Sequence, residues 1–203
     1  MRKARALLGR GKSFFVKQPQ MPAQLEMLWP DERLGSPPEV RVPGGFRLRT
    51  YCPGDEVRLI PLHERAGMHG FPVKYWMEHI LPEGLFFIEH EDTRRLVATC
   101  MASHHPTERH PFGGNLGWLS GDPDFQGRGL GYAVAAAVTR RLVQAGYRRI
   151  YLETHDFRLP AIRIYLKMGW LPFLFQEDML DRWHQVCRQL DWKFSPAQWP
   201  STL

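Results

Sequence analysis

From Phe46 onward the apolar positions of the chain keep regular periods, and before it they do not. Phe46 to Tyr51 alternates apolar and basic or polar side chains, the pattern of a half-buried strand, and Pro53, Gly54 and Asp55 then open a helix predicted to run from about Asp55 to Ala66. A second helix is predicted near Pro72 to Leu81. Between the two, Gly67, Met68, His69, Gly70 and Phe71 form a connection of the kind that shapes pockets, although core packing is the simpler role for Phe71. Leu85 to His90 and Leu96 to Ser103 are strand-like runs around the polar Glu91, Asp92, Thr93 and Arg94, which predicts an antiparallel hairpin. Asn115 to Gly121 reads as a further strand. Leu130, Val134, Val138 and Leu142 recur at every fourth position of an Ala-rich stretch that Gly146 ends, so Leu130 to Ala145 is the clearest helix. A strand at Ile150 to Thr154, a helix at Pro160 to Met168 stopped by Gly169, a short strand at Phe173 to Phe175 and a helix at Asp178 to Leu190 complete the pattern. Helices interleaved with strands in this order predict an α/β fold on a mixed sheet.

Pro22, Pro30, Pro37, Pro38 and Pro43 break the stretch from Pro19 to Gly45, which excludes a long regular element there. The expected organisation is therefore a basic, Pro-rich arm over residues 1–45, one globular domain over 46–190 and a tail over 191–203. On this reading a chain that starts near Pro38 keeps its fold.

Composition supports a single core: the chain has 203 residues, of which 43% are hydrophobic and 24% charged. No apolar run approaches the roughly 20 residues of a membrane-spanning helix, and no secretory signal is visible, so no membrane partner is expected. The charge is more informative. Arg2, Lys3, Arg5, Arg10, Lys12 and Lys17 lie in a stretch of 20 residues without an acid, and the remaining 21 basic residues are matched by 21 acidic ones. A nucleic-acid-binding domain carries its basic stripe on the folded body, so the neutral body argues against nucleic acid as a partner. The basic segment reads as a solvated extension, with a polyanion-binding arm or a transit peptide as the alternatives. Cys52, Cys100 and Cys187 are an odd set without paired spacing. That argues against a disulfide framework and a structural zinc site, and for a reducing, cytoplasmic setting with no metal.

The sharpest local feature is Gln126, Gly127, Arg128, Gly129, Leu130 and Gly131, which joins a predicted strand to the Ala-rich helix. Alternate glycines let successive backbone N–H groups turn toward one point, with the positive end of the helix behind them, and such a loop suits phosphate oxygens. It is neither a Walker loop, which needs a Lys, nor the dinucleotide fingerprint, whose third Gly would fall at Tyr132. In isolation a plain strand-to-helix turn explains it equally well.

The stretch from Leu116 to Trp170 closely resembles the GNAT superfamily of acyl-CoA-dependent N-acetyltransferases. Gln126, Gly129 and Gly131 match its pyrophosphate loop, Pro123 and Phe125 stand where the family has a Pro and an aromatic, and Ala161, Tyr165, Gly169 and Trp170 reproduce its downstream helix motif. The resemblance implies a mixed, mostly antiparallel central sheet flanked by helices and splayed at an acetyl-CoA cleft. It also implies direct transfer of an acetyl group from acetyl-CoA to a primary amine. Implied cofactor contacts are Leu119, Ser120 and Gly121 at a bulge, the loop Gln126, Gly127, Arg128, Gly129, Leu130 and Gly131, then Arg158 and Tyr165. Tyr165 is the implied general acid, protonating the leaving thiolate. The implied partners are a CoA thioester and an amine acceptor, and a homodimer is left open.

Two departures stand out. Arg158, preceded by Asp156, replaces a common Asn and is expected to pair with a phosphate or with Asp156. The helix expected at Asp178 to Leu190 stands where a family member would usually supply a last strand. No general base is singled out: Asn115 stands where many members carry an acid or a His, which leaves His104, His105, Glu153 and His155 by type and position. Retention of Tyr165 favours an enzyme, whereas the missing obvious base favours a CoA-binding interaction or sensing module without turnover.

Overall fold

The computed structural model describes residues 22–202, so the basic stretch 1–20 lies outside the described residues. In chain order the elements are β1 (Leu25–Leu28), β2 (Phe46–Thr50), α1 (Glu56–Arg65), α2 (Val73–His79), β3 (Ile80–His90), β4 (Leu96–His104), β5 (Gly114–Gly121), α3 (Leu130–Gln144), β6 (Ile150–Thr154), α4 (Leu159–Met168), β7 (Leu171–Phe173) and α5 (Met179–Leu190). The strands form one sheet in the order β2-β3-β4-β5-β6-β1-β7. Only β5 and β6 are parallel; the other neighbours run antiparallel.

β4 is buried along almost its whole length because helices cover both of its faces. Ala98, Cys100 and Ala102 face the main core with α3, α4 and α5, whereas Leu96 and Met101 join Leu59 and Leu62 of α1 in a second cluster. An apolar run without alternation is the sequence mark of such a doubly covered strand. On α3, Leu130, Val134, Val138 and Leu142 are buried as the fourfold spacing predicts, and Ala133, Ala135, Ala136 and Ala137 are buried too. The small alanines let this helix approach the sheet and α4 together.

The structure corrects the expected boundary at residue 45. Leu25, Met27, Leu28 and Trp29 are 0–5% exposed, and β1 pairs with β6 on one side and β7 on the other. Trp29 packs edge-on against Trp170 at 5.6 Å, and Arg33 donates to Met168 O at 3.1 Å, closing the C-terminal end of α4. Residues 25–33 therefore belong to the domain. The tail is also docked: Trp199 packs on Trp183 at 6.2 Å, and Leu174 donates its N–H to Pro200 O and accepts from Thr202 N–H, both at 3.0 Å. Smaller differences concern β3, which begins at Ile80 rather than Leu85, and β7, which covers Leu171–Phe173 rather than Phe173–Phe175. The chain passes from β7 into α5 without a further strand of the sheet, and β1 stands between β6 and β7.

Candidate active site

β5 and β6 pair only at Gly114 with Ile150 and Asn115 with Tyr151, then separate. Their divergence opens the sheet at its middle. On the other side of β5, Thr99 opposes Ser120 and Met101 opposes Gly117, so three steps on β5 face two on β4. The extra residue makes a bulge at Trp118 and Leu119, with Trp118 held at φ +54°. The bulge thus overlaps the expected stretch at Leu119 and begins one residue before it: Ser120 and Gly121 are already back in register with β4.

Two clefts meet at this point. The wider one, about 650 Å³, runs along the loop before α3 and the outer side of α4. The narrower one, about 350 Å³, lies between the open ends of β5 and β6. Met68, Leu119, Arg158 and Ala161 line both, so the clefts form one continuous channel.

The loop at the wide end is shaped for an anion. Gly127 and Gly129 have φ of +77° and +78°, which only glycine adopts at low cost. The first helical bond of α3 runs from Ala133 N–H to Gly129 O at 3.0 Å, so the amides of Leu130, Gly131 and Tyr132 are first-turn donors that the helix itself does not satisfy. All three residues line the cleft, as do Arg158 just before α4 and Lys167 and Arg163 on it, the Arg163 guanidinium donating to Leu190 O at 2.6 Å. Gly131 also sets the spacing of the two helices, since a Cβ there would lie 2.9 Å from Ile164 Cδ1.

Tyr165 and Glu153 line the narrow end. Burial pushes the Tyr165 phenol well above its ordinary value of 10, the neighbouring Cys100 adds to this, and Arg158 opposes it. Glu153 is raised above the ordinary carboxylate value, first by burial and then by Glu26, with Arg109 acting against both. The remaining wall is mostly polar and aromatic, with Gln24, His69, Trp76, Asn115 and His155. Among the described residues, no group of three or more His, Cys, Asp or Glu side chains is placed to hold a metal ion, and no helix is long and apolar enough to cross a membrane.

Residues 55–170 match the acetyltransferase (GNAT) family. The chain belongs to that family. It is similar to mycothiol acetyltransferase from Saccharomonospora viridis, with 33% identity over 151 residues that make up 66% of this chain and 48% of that protein. A mycothiol acetyltransferase from Nocardia farcinica is 30% identical over 162 residues, 71% of this chain and 52% of that one. The chain spans about half the length of these curated relatives. Among solved structures, a GCN5-related N-acetyltransferase from Sphaerobacter thermophilus shares the fold with a TM-score of 0.55 at 23% identity, over 74% of this chain and 49% of that one.

In this GNAT-family chain most residues singled out from sequence converge on the channel. Leu119, Ser120 and Gly121 line its wide part, as do Gln126, Gly127, Gly129, Leu130 and Gly131 of the loop. Arg128 does not: its guanidinium lies over the Phe125 ring at 5.5 Å. Ser120 is engaged from below, where its Oγ lies 2.7 Å from Nδ1 of the buried His63. Of the two partners open to Arg158, Asp156 is taken by Arg182 of α5, whose Nε donates to it at 3.0 Å. The Arg158 side chain instead lies over Phe157 and lines both clefts.

The four candidates for a base separate cleanly. His104 pairs with the Tyr147 hydroxyl at 2.9 Å and His105 packs on Trp76 at 5.3 Å, and neither lines a cleft. Glu153 and His155 do line the narrow one. His155 is stacked on Phe157 with an interplanar angle of 9°, and burial, then Arg158, lowers its proton affinity. Sequence reasoning missed Gln24 on the approach to β1, Trp76 on α2, and Arg163 and Lys167 on α4.

Proposed function

We propose that this chain transfers an acetyl group from acetyl-CoA to the primary amine of a small polar acceptor. The observation that carries the reading is the continuous channel, with amide donors and basic side chains at one end and a carboxyl group and a phenol at the other. The pyrophosphate of CoA lies on the loop 126–131, where the first-turn amides of α3 and the side chains of Arg158, Arg163 and Lys167 neutralise it. The pantetheine arm follows the bulge to the narrow cleft.

Amines are mostly protonated at neutral pH. The Glu153 carboxylate attracts the ammonium and then removes one proton, the free amine adds to the thioester carbonyl, and the carbon–sulfur bond breaks. Tyr165 gives its proton to the departing sulfur. A backbone N–H at the bulge stabilises the oxyanion between these steps. Glu153 is preferred to His155 because a carboxylate both binds the ammonium and accepts from it, while Arg158 beside His155 repels a cation.

The relatives named mycothiol acetyltransferase and the polar wall of the narrow cleft support a small polar amine as acceptor. Purified protein with acetyl-CoA and a panel of small amines, including the deacetylated form of mycothiol, should release free thiol with one amine and not without it. Glu153→Gln should lower kcat by roughly 10²-fold or more, the usual scale for a lost general base. Thiol release that ignores every amine would remove the reading.

A separate test addresses the loop. Gly129→Val places a β-branched residue at φ +78°, a conformation that costs an L-residue roughly 1–2 kcal/mol, although its Cβ would meet nothing within 4 Å. The fold should survive by circular dichroism, and calorimetry should show CoA binding lost. Unchanged affinity would mean that the pyrophosphate lies elsewhere.

A further inference from the structure

Behind the narrow cleft lies a buried ionic cluster to which the scheme above gives no part. Its centre is Glu26 of β1, whose side chain is 1% exposed. Glu26 stands directly opposite Glu153 in the β1–β6 ladder. Opposed residues of an antiparallel pair point to the same face, with Cβ atoms about 5 Å apart. The segment between β4 and β5 covers this face and supplies the partners of Glu26.

Both carboxylate oxygens of Glu26 are engaged. Oε1 accepts from Arg109 Nε at 2.9 Å, with a further bond from the Arg109 terminal nitrogen. Oε2 lies 2.7 Å from His110 Nε2. On the other side of that ring, Nδ1 accepts from Arg149 Nε at 2.9 Å. Since Arg149 can only donate, the His110 proton sits on Nε2 and is donated to Glu26. The ring is locked by stacking on Tyr151 at 4.1 Å, and Arg109 lies over Phe175 at 4.2 Å. Glu26 is therefore a fixed anion with no direction left from which to bind a ligand.

We propose that Glu26 is a positioning residue for acetyl transfer: a fixed carboxylate, carried into the sheet by β1, that makes its cross-strand neighbour Glu153 a stronger base toward the acceptor amine. The proposal rests on Glu153 being that base. Glu26 is well suited to remain charged while Glu153 does not. Burial alone would raise the Glu26 value, but hydrogen bonds from His110 and Arg109 outweigh it and hold it below the ordinary carboxylate range. Among the described residues Glu153 has no such donors, and it is raised by burial and by Glu26 itself. Two neighbouring carboxyl groups with unequal donor sets divide the roles in this way: one stays ionised and the other holds and releases the proton.

The other titratable or charged groups facing Glu153 are Arg109 from the covering segment, Tyr151 on β6, His155 and Arg158 between β6 and α4, Tyr165 on α4, and His69 from the connection after α1. Arg109 is the cation that opposes Glu26, so removing either charge should move Glu153 in opposite directions.

The test is the pH profile of kcat/KM for the full chain with acetyl-CoA and an accepted amine. Glu26→Gln keeps the shape of the side chain and removes its charge, and should move the acid limb to lower pH by about half a unit or more, with a lower plateau. Arg109→Gln should move the same limb to higher pH. A purely structural role for Glu26 would lower stability and activity without moving the limb, so a limb at the wild-type position in a variant with native circular dichroism overturns the proposal. If Glu26→Gln does not fold, the double variant Glu26→Gln/Arg109→Gln, which leaves neither charge, decides: a limb below that of Arg109→Gln supports the coupling, and a limb at the Arg109→Gln position refutes it. Glu153→Gln separates the two readings. If it retains wild-type activity and the wild-type limb, the base itself is misassigned; if it is inactive while the Glu26 and Arg109 variants keep the wild-type limb, only the coupling fails.

Discussion

A chain that begins at Pro38 is expected not to fold. It lacks β1, which supplies backbone partners to β6 and β7 on either side, and without which β7 has no link to the sheet and β6 keeps only its short pairing with β5. It also loses the burial of Leu25, Met27, Leu28 and Trp29. At roughly 1.5–3 kcal/mol for each large apolar side chain removed from water, the loss is of the order of the whole stability of a domain, about 5–15 kcal/mol. Trp170 loses the Trp29 ring, the end of α4 loses Arg33, and the narrow cleft loses Gln24. Thermal unfolding followed by circular dichroism should show a cooperative transition for the full chain and none for the shortened one. A sharp transition near the full-length Tm would mean that β1 is an accessory strand, and would return the boundary to residue 45.

Tyr165→Phe should leave CoA affinity nearly unchanged and lower kcat by roughly 10²-fold, within the usual range for a lost general acid. The substitution keeps the ring, which packs near Trp170 at 6.3 Å and belongs to the main core, and removes only the hydroxyl. Burial raises the phenol above its ordinary value, so it is fully protonated at neutral pH and ready to donate. The same desolvation raises the proton affinity of a thiolate released beside it, so the transfer is less uphill than the two groups' values in water suggest. The measurement is kcat on an accepted amine together with Kd for CoA by calorimetry. A kcat within a few-fold of wild type would mean that the thiolate leaves unassisted or takes its proton from water, and would return Tyr165 to packing alone.

The local backbone geometry of the loop before α3 was legible in the sequence. Gly127, Gly129 and Gly131 announce the loop because left-handed φ angles and a close helix approach demand glycine, and both requirements are found at these positions. α4 was equally plain, with Pro160 in its first turn and Gly169 at φ +99° as its stop. The bulge begins at Trp118, one residue before the stretch that the resemblance implies, and no local signal marks it, because Trp118 itself takes the left-handed conformation. The base could be narrowed only by seeing which side chains face the opening between β5 and β6.

β1 is the instructive omission. Leu25, Met27 and Trp29 alternate with Gln24, Glu26 and Leu28, a short strand signal enclosed by Pro22 and Pro30, and the prolines were read while the alternation was not. A four-residue strand has little intrinsic stability, and its existence depends on β6 and β7, more than 120 positions away in the chain. By itself, then, the sequence determined what neighbouring residues can settle among themselves: helix periods, glycine conformations and the phosphate-type loop. Only the tertiary structure decided which strand completes the sheet, which carboxyl group lines the narrow cleft and which one stands behind it. These are contacts between distant segments, and no local preference encodes them.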